Sequence, residues 1–345
     1  MAGIETRQVD ADEAGMRLDR WFKLHFPGLA FGQLQKLLRS GQIRVDGGRV
    51  KSDTRIAAGQ AVRLPPQITS LDDNHGSGKN SSSGGATING PLTRNTIRDR
   101  NDLDVLQSML LHEDRKVFVF NKPAGLAVQG GSGVNRHVDG MLEAMRNKKG
   151  EKPRLVHRID RETSGILVVA RTRGAAAELT KAFRHRTTEK VYWAICKGVP
   201  RKREGTISTF MIKERTPDGD RMRVARHGEK GADHSVSEYR VIDQAGQNLS
   251  WIEFKPVTGR THQLRVHSAH IGHPIIGDPK YFDIENWEFP GGIQQRLHLH
   301  ARQIRIPHPD GGVLEVTAPL PAHMEQTFNL LGLNESDAED ESANY

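Results

Sequence analysis

Residues 154–170 read RLVHRIDRETSGILVVA. One carboxylate, Asp160, stands between Arg158 and Arg161, and the chain turns apolar after Gly165. A short apolar run bounded by a glycine reads as a buried strand, so the loop DRETSG ends where the core begins. Thr163 and Ser164 have side chains that bond backbone groups and stiffen a turn, and Gly165 permits a tight backbone. An acid fixed at the head of such a strand is either a surface ion pair with its neighbouring bases or a reactive group held in one direction.

Working outward, KVFVFNK, GILVVAR, KVYWAICKG, SEYRVID, LSWIEFKPV, ARQIRI and GVLEVTAP read as strands. GAAAELTKAFRHR and THQLRVHSAHIG read as helices. Strands outnumber helices and do not alternate with them. The expected class is therefore α+β with a mixed, largely antiparallel sheet over residues 104–328, and not a doubly wound fold.

Ahead of this body lies a compact basic unit, residues 16–65. Leu18, Trp21, Phe22 and Leu24 or His25 recur at helical spacing, and a second helical stretch stops at Gly41, a C-cap signal. QIRVDGGRVK reads as a hairpin around Asp46-Gly47. Lys36, Arg39, Arg44, Arg49, Lys51 and Arg55 crowd the second helix and the hairpin. Such density is either a solvated face or a surface that tracks phosphates. Residues 66–100 include a Gly/Ser-rich run that cannot bury a core, and a flexible coil of about 35 residues spans roughly 30–35 Å. Residues 331–345 carry five acids and no base, and are expected to be a disordered tail. The body is therefore more basic than the net charge of +8, which suggests nucleic acid as a partner or merely serves solubility.

With the single cysteine, Cys196, neither an internal disulfide nor the usual thiolate zinc site can form, and a reducing, cytoplasmic setting is expected. There is no membrane-spanning apolar run, and the acidic first fifteen residues are expected to be neither a secretory signal nor a transit peptide.

HRIDRETSGILVVA resembles the catalytic motif of the RluA/RluC/RluD-type RNA pseudouridine synthases, with Ile159 in place of the usual leucine. FNKPAGLAVQGGSG, TEKVYWAICKG and GRTHQLRVHSAHIGHPIIGDPKY resemble further segments of that family, in the family's order. The small unit resembles the alpha-L RNA-binding domain. The resemblance implies the pseudouridine synthase fold and isomerisation of uridine in structured RNA, with the RluC-like subgroup pointing to large-subunit ribosomal RNA. It implies Asp160 as nucleophile, Tyr192 against the uracil and Arg265 paired with Asp160, with Lys122 at the pocket edge. No metal or cofactor is implied, because product and substrate contain the same atoms, and no Walker or Rossmann glycine pattern is present.

The chemistry agrees with these assignments. A buried carboxylate tends to protonate, and a guanidinium opposes this while offering a bidentate grip. On its strand Tyr192 shares a face with Ala194 and Cys196, opposite Val191, Trp193 and Ile195. Small neighbours leave room for a flat base. The target base must leave its stack, so Arg158 is expected to enter the gap or grip a flanking phosphate. Arg260 precedes a helix that begins near His262, where phosphate is favoured. The expected RNA contacts are thus Lys36, Arg39, Arg44, Lys51, Lys122, Arg158 and Arg260. His262, His267, His270 and His273 do not share a ligand-forming helix face, so hydrogen bonding or RNA contact is expected of them.

The alternatives are a transfer-RNA or messenger-RNA modifier, a non-catalytic RNA-binding ribosome-assembly factor, and a metal-dependent phosphoryl hydrolase. A glycosidase ranks low because it would need two flanking carboxylates, and a partner role for Glu162 has no support. A monomer is expected.

Overall fold

The computed structural model describes residues 5–10, 13–26, 29, 31–66, 68, 94–131, 134, 136–148, 150–216, 219–283, 287 and 291–340. The chain divides into two compact units, Met1–Gly90 and Pro91–Tyr345.

The small unit runs β1 (Glu5–Gln8), α1 (Leu18–His25), α2 (Phe31–Arg39), β2 (Arg44–Val45) and β3 (Ala61–Leu64). Its sheet has the order β1-β3-β2. Leu18, Trp21 and Phe22 of α1 pack with Leu34, Leu37 and Leu38 of α2. His25, not the exposed Leu24, completes the inner stripe, with its ring 4.5 Å from that of Trp21. The α2 helix stops as its composition predicts: Gly41 has φ +70°, and the Gln42 amide returns to the Leu37 carbonyl at 3.0 Å. Asp46 and Gly47 both have positive φ, and Val45 and Gly48 exchange amide–carbonyl bonds at 3.2 and 2.9 Å across them. This is the expected two-residue hairpin turn. The unit begins earlier than residue 16, because β1 pairs with β3 and Val9 and Glu13 are buried.

The large unit contains α3 (Arg94–Ser108), β4 (Leu110–Glu113), β5 (Val117–Lys122), α4 (Val138–Met141), β6 (Arg154–Leu155), β7 (Ser164–Ala170), α5 (Arg173–Arg184), β8 (Glu189–Lys197), β9 (Glu204–Thr216) and β10 (Gly219–Val224). It continues with β11 (Asp233–Ala245), β12 (Leu249–Pro256), α6 (Gln263–His270), β13 (Leu299–Pro307), β14 (Val313–Thr317), α7 (Ala322–Leu331) and α8 (Asp337–Asp340). One eleven-stranded sheet runs β10-β9-β11-β12-β8-β13-β7-β5-β4, with β14 on β13 and β6 on β7. Among the described pairs only β13 and β7 are parallel, so the sheet is mixed and largely antiparallel, as expected.

Strand β7 is buried along its whole length. Ile166 and Val168 pack with Ala175 and Leu179 of α5, while Leu167 and Val169 pack with Leu106, Phe118 and Phe120 on the other face. Covered faces on both sides explain why the segment is continuously apolar. On β8, Trp193 and Ile195 join Trp251 and Phe328, whereas Ala194 and Cys196 join Ile252 and Phe254.

Two further boundaries differ from the sequence reading. Of the expected linker, residues 69–93 lie outside the described residues, but residues 94–100 belong to α3, which is anchored near its far end by buried Leu106, with buried Met109 just beyond it. The acidic end is not a free tail over its described part, and the body does not stop at residue 328. Leu333 and Ala338 bury themselves beside Trp251 and Phe328, and Glu335 pairs with Arg302 at 2.6 Å. The last five residues lie outside the described ones. Among the described residues no helix is long and apolar enough to cross a membrane.

Candidate active site

The loop between β6 and β7 carries Asp160 and is pinned from several sides. The Gly125 amide donates to the Arg161 carbonyl at 2.8 Å, and the Thr163 amide donates to the Asp160 carbonyl at 3.2 Å. Ser164 sits 2.9 Å from His300 Nδ1 on the neighbouring β13. Gly165 has φ +105°, and a Cβ there would stand 2.3 Å from the Ala301 carbonyl oxygen. The parallel pairing that seats the loop therefore requires glycine at this position.

Lys122 does not line the pocket edge. Its side chain is fully buried, and Nζ donates to the carbonyls of Pro123, Leu126 and Arg161 at 2.9, 2.8 and 3.1 Å. The expectation of an RNA contact is corrected: this ammonium ties the NKPAG turn to the loop after Asp160. Three donors meet three acceptors, while burial lowers its pKa to about 7.

Asp160 opens onto a cleft of about 530 Å³ whose walls include Arg158, Tyr192, Arg260, His262 and Arg265. The structure thus brings together the three expected catalytic residues. Tyr192 is half-buried and packs against the cores on either side of its strand. Burial and the nearby Asp160 charge push its phenol up, so the hydroxyl stays protonated.

Arg265 pairs with Asp160 as expected, but through one nitrogen only. Its Nε and one terminal nitrogen form a bidentate bond to Asp278, both at 2.7 Å, while the other terminal nitrogen, Nη1, reaches Asp160 at 3.7 Å. The bidentate grip expected on Asp160 belongs to Asp278, which is wholly buried. Burial works against the charge on Arg265, and the Asp278 carboxylate more than offsets this, raising its pKa. Asp278 follows Gly277, whose φ is +70° and where a Cβ would lie 1.9 Å from the Arg296 carbonyl oxygen. The arginine is thus fixed by one acid and presents its remaining charge to another.

His262 was not assigned a role in the site by sequence, yet its Nε2 lies 4.0 Å from Asp160. It occupies the left-handed region, φ +54°, at the head of α6. Its Nδ1 is 2.8 Å from the Tyr281 hydroxyl, which accepts the Met222 amide at 2.9 Å. A hydroxyl accepting there is free to donate to Nδ1, which leaves the ring proton on Nε2, toward Asp160. Burial lowers the His262 pKa, so the ring is neutral near pH 7. Asp278 and Tyr281 were also missed, although both lie within the quoted GDPKY segment.

The remaining basic residues divide. Arg158 lines the cleft, is exposed and makes no ion pair or hydrogen bond among the described residues. Arg260 lines it too, but its side chain reaches Asp233 at 3.4 Å and the His234 carbonyl at 3.3 Å. Its amide donates to the Gln263 side-chain oxygen at 3.0 Å. In the small unit Lys36, Arg39 and Lys51 are exposed, whereas Arg44 is half-buried against the Gly41 and Gly47 carbonyls. The histidines disperse: His267 bonds Ser235 and Ser237, His298 bonds Thr327, and His300 bonds Ser164.

A cleft with an acid at its foot, a packed tyrosine and a fixed arginine calls for comparison with known enzymes. Residues 116–270 match the family model described as RNA pseudouridylate synthase. The chain is 33% identical over 339 residues to the ribosomal large subunit pseudouridine synthase C of Haemophilus influenzae, covering 96% of both chains. It is 34% identical to the corresponding protein of Pasteurella multocida, covering 95% of this chain and 94% of that one. The structure of human RNA pseudouridylate synthase domain containing 4 superposes with a TM-score of 0.58 at 29% identity, covering 69% of this chain and 98% of that one. The chain belongs to the RNA pseudouridylate synthase family and is an RNA pseudouridine synthase.

Proposed function

We propose that the protein isomerises uridine to pseudouridine in large-subunit ribosomal RNA, with Asp160 as the nucleophile. The N1–C1′ glycosidic bond breaks, the uracil turns, and a C5–C1′ bond forms. C5 gives up its proton and N1 gains one, so atoms balance without a co-reactant. The observation that carries this reading is the position of Asp160 at the foot of the cleft, within 4.0 Å of both Arg265 and His262 and on a wall shared with Tyr192. The near full-length likeness to ribosomal large-subunit enzymes supports the choice of RNA.

In this reading Tyr192 packs against the extruded uracil and stands ready at the C5 proton. Arg265 holds its charge toward Asp160 because Asp278 prevents it from swinging away. Arg158 meets the strand at the cleft mouth, where the base leaves its stack. The small unit supplies an alpha-L surface on which Lys36, Arg39 and Lys51 meet phosphates. Lys122, fully buried, has no part in RNA contact.

Tritium release from RNA labelled at C5 of uridine tests the reading. The full chain is expected to release tritium from large-subunit ribosomal RNA, and Asp160→Asn to reduce the rate on the order of 10⁴-fold or more while melting normally. Release only from transfer or messenger RNA would move the substrate. Binding without release would favour an assembly factor.

A further inference from the structure

A second cavity of about 320 Å³ adjoins the cleft, and Arg186, Lys190, Pro256 and Val257 line both. Lys190 and Tyr192 are alternate residues of β8, so their side chains leave the same face of the strand. The Lys190 ammonium is half-buried and has no hydrogen bond or ion pair among the described residues. Arg186 stands on the turn before β8 with φ +58°, a costly backbone for a residue with a Cβ, and its guanidinium is likewise unpaired there. Thr188 also lines the second cavity, and its buried hydroxyl lacks a partner.

A buried polar group is normally satisfied, so the Thr188 hydroxyl, flanked by the half-buried Lys190 ammonium and the exposed Arg186 guanidinium on alternate residues, calls for an external partner. Other charged groups at the second cavity do not supply it. Glu189 is engaged by Arg305 at 3.0 Å, Lys255 faces Glu253 at 3.4 Å, and Glu238 is exposed and unpaired with either cation. Burial and the Arg186 charge both lower the pKa of Lys190, a strain that an arriving anion relieves.

We propose that Lys190 and Arg186 form an anion subsite between the two cavities that receives one phosphodiester of the RNA strand beside the target uridine. This rests on the reading of the first cleft as the uridine site. Both residues are positioning residues, which hold the strand along β8 and so act on binding of the RNA rather than on the reacting groups.

The test uses ribosomal RNA fragments in which single linkages near the target carry an uncharged methylphosphonate. Lys190→Met is expected to raise KM about tenfold while kcat stays within about twofold. Lys190→Arg should recover most of the loss, and Arg186→Asn, which tolerates positive φ, should mimic the milder part of it. Neutralising one linkage should slow the native protein markedly and Lys190→Met, which keeps only Arg186, much less. An unchanged KM in Lys190→Met and Arg186→Asn, or losses that multiply at every linkage, would overturn the subsite. Thermal melting of each variant separates these results from misfolding. A native protein that releases no tritium would overturn the uridine reading and the subsite together, whereas an active one with indifferent variants removes the subsite alone.

Discussion

Lys36, Arg39 and Lys51 of the small unit stand exposed, whereas Lys122 and Arg265 of the large unit are buried and tied to named acceptors. Both sets were counted together as basic residues in the sequence, yet they do different work. The exposed cations are available to any polyanion and are screened by salt. The buried ones have exchanged that freedom for position. Arg265 can present charge to Asp160 only because Asp278 fixes it, and Lys122 holds a turn and a loop together. Net charge therefore reports the affinity of the molecule for RNA poorly until the interior cations are set aside.

Removing Asp278 tests the contrast most severely. Asp278→Asn leaves a buried guanidinium with half of its fixation, and we expect a stability loss of about 3–5 kcal/mol by urea denaturation. Turnover should fall about 100-fold as Arg265 loses its aim. Full turnover in that variant would show that Arg265 needs no fixing. Next in size is Lys122→Met, which strands three carbonyls and should cost about 2–4 kcal/mol, with RNA affinity unaltered. Weaker RNA binding in that variant would return Lys122 to the contact surface.

Acid titration sharpens the same point with neutral groups. Burial holds His298 and His300 down to about 3 and about 4. Their folded values lie below that of a free imidazole, so the unfolded chain takes up protons first as pH falls. The stability they contribute is complete above about 6.5 and is lost on the way down through about 4 and about 3. The urea midpoint should drop over that window, and less steeply in His300→Asn. The smallest effect on chemistry is expected at the small unit. Replacing Lys36, Arg39 and Lys51 with glutamine should flatten the salt slope of RNA binding by about 2 in log–log units and leave kcat unchanged. An unaltered slope would make that face a solvating one.

The sequence was most legible where one residue type has one cause. β7 could be read because a strand covered on both faces must be apolar throughout, and the hairpin at Asp46-Gly47 because both positions need positive φ. The long β9–β10 hairpin was not read: along β9 only Ile207, Thr209 and Met211 turn inward, and a threonine in the middle blurs the alternation. Helix α3 went unread because its buried anchor, Leu106, lies at the far end of a polar segment. In the site, Asp160, Tyr192 and Arg265 came through their motifs. The Asp278 partnership did not, because two acids compete for one guanidinium and only packing decides between them. His262 was obscured by three further histidines in its stretch, and Lys122 by a surface reading of a residue that the fold encloses.

The β7–β13 joint has a consequence for the order of events during synthesis. Ser164 and His300, which meet there, are 136 residues apart in sequence. Contacts of such long range form late, since the intervening chain must first be made and then close a very large loop. A nascent or truncated chain ending before residue 299 would have the reactive loop complete in covalent terms yet unanchored on one side. Truncation before residue 299 is therefore expected to abolish tritium release, although Asp160, Tyr192 and Arg265 all remain in the chain.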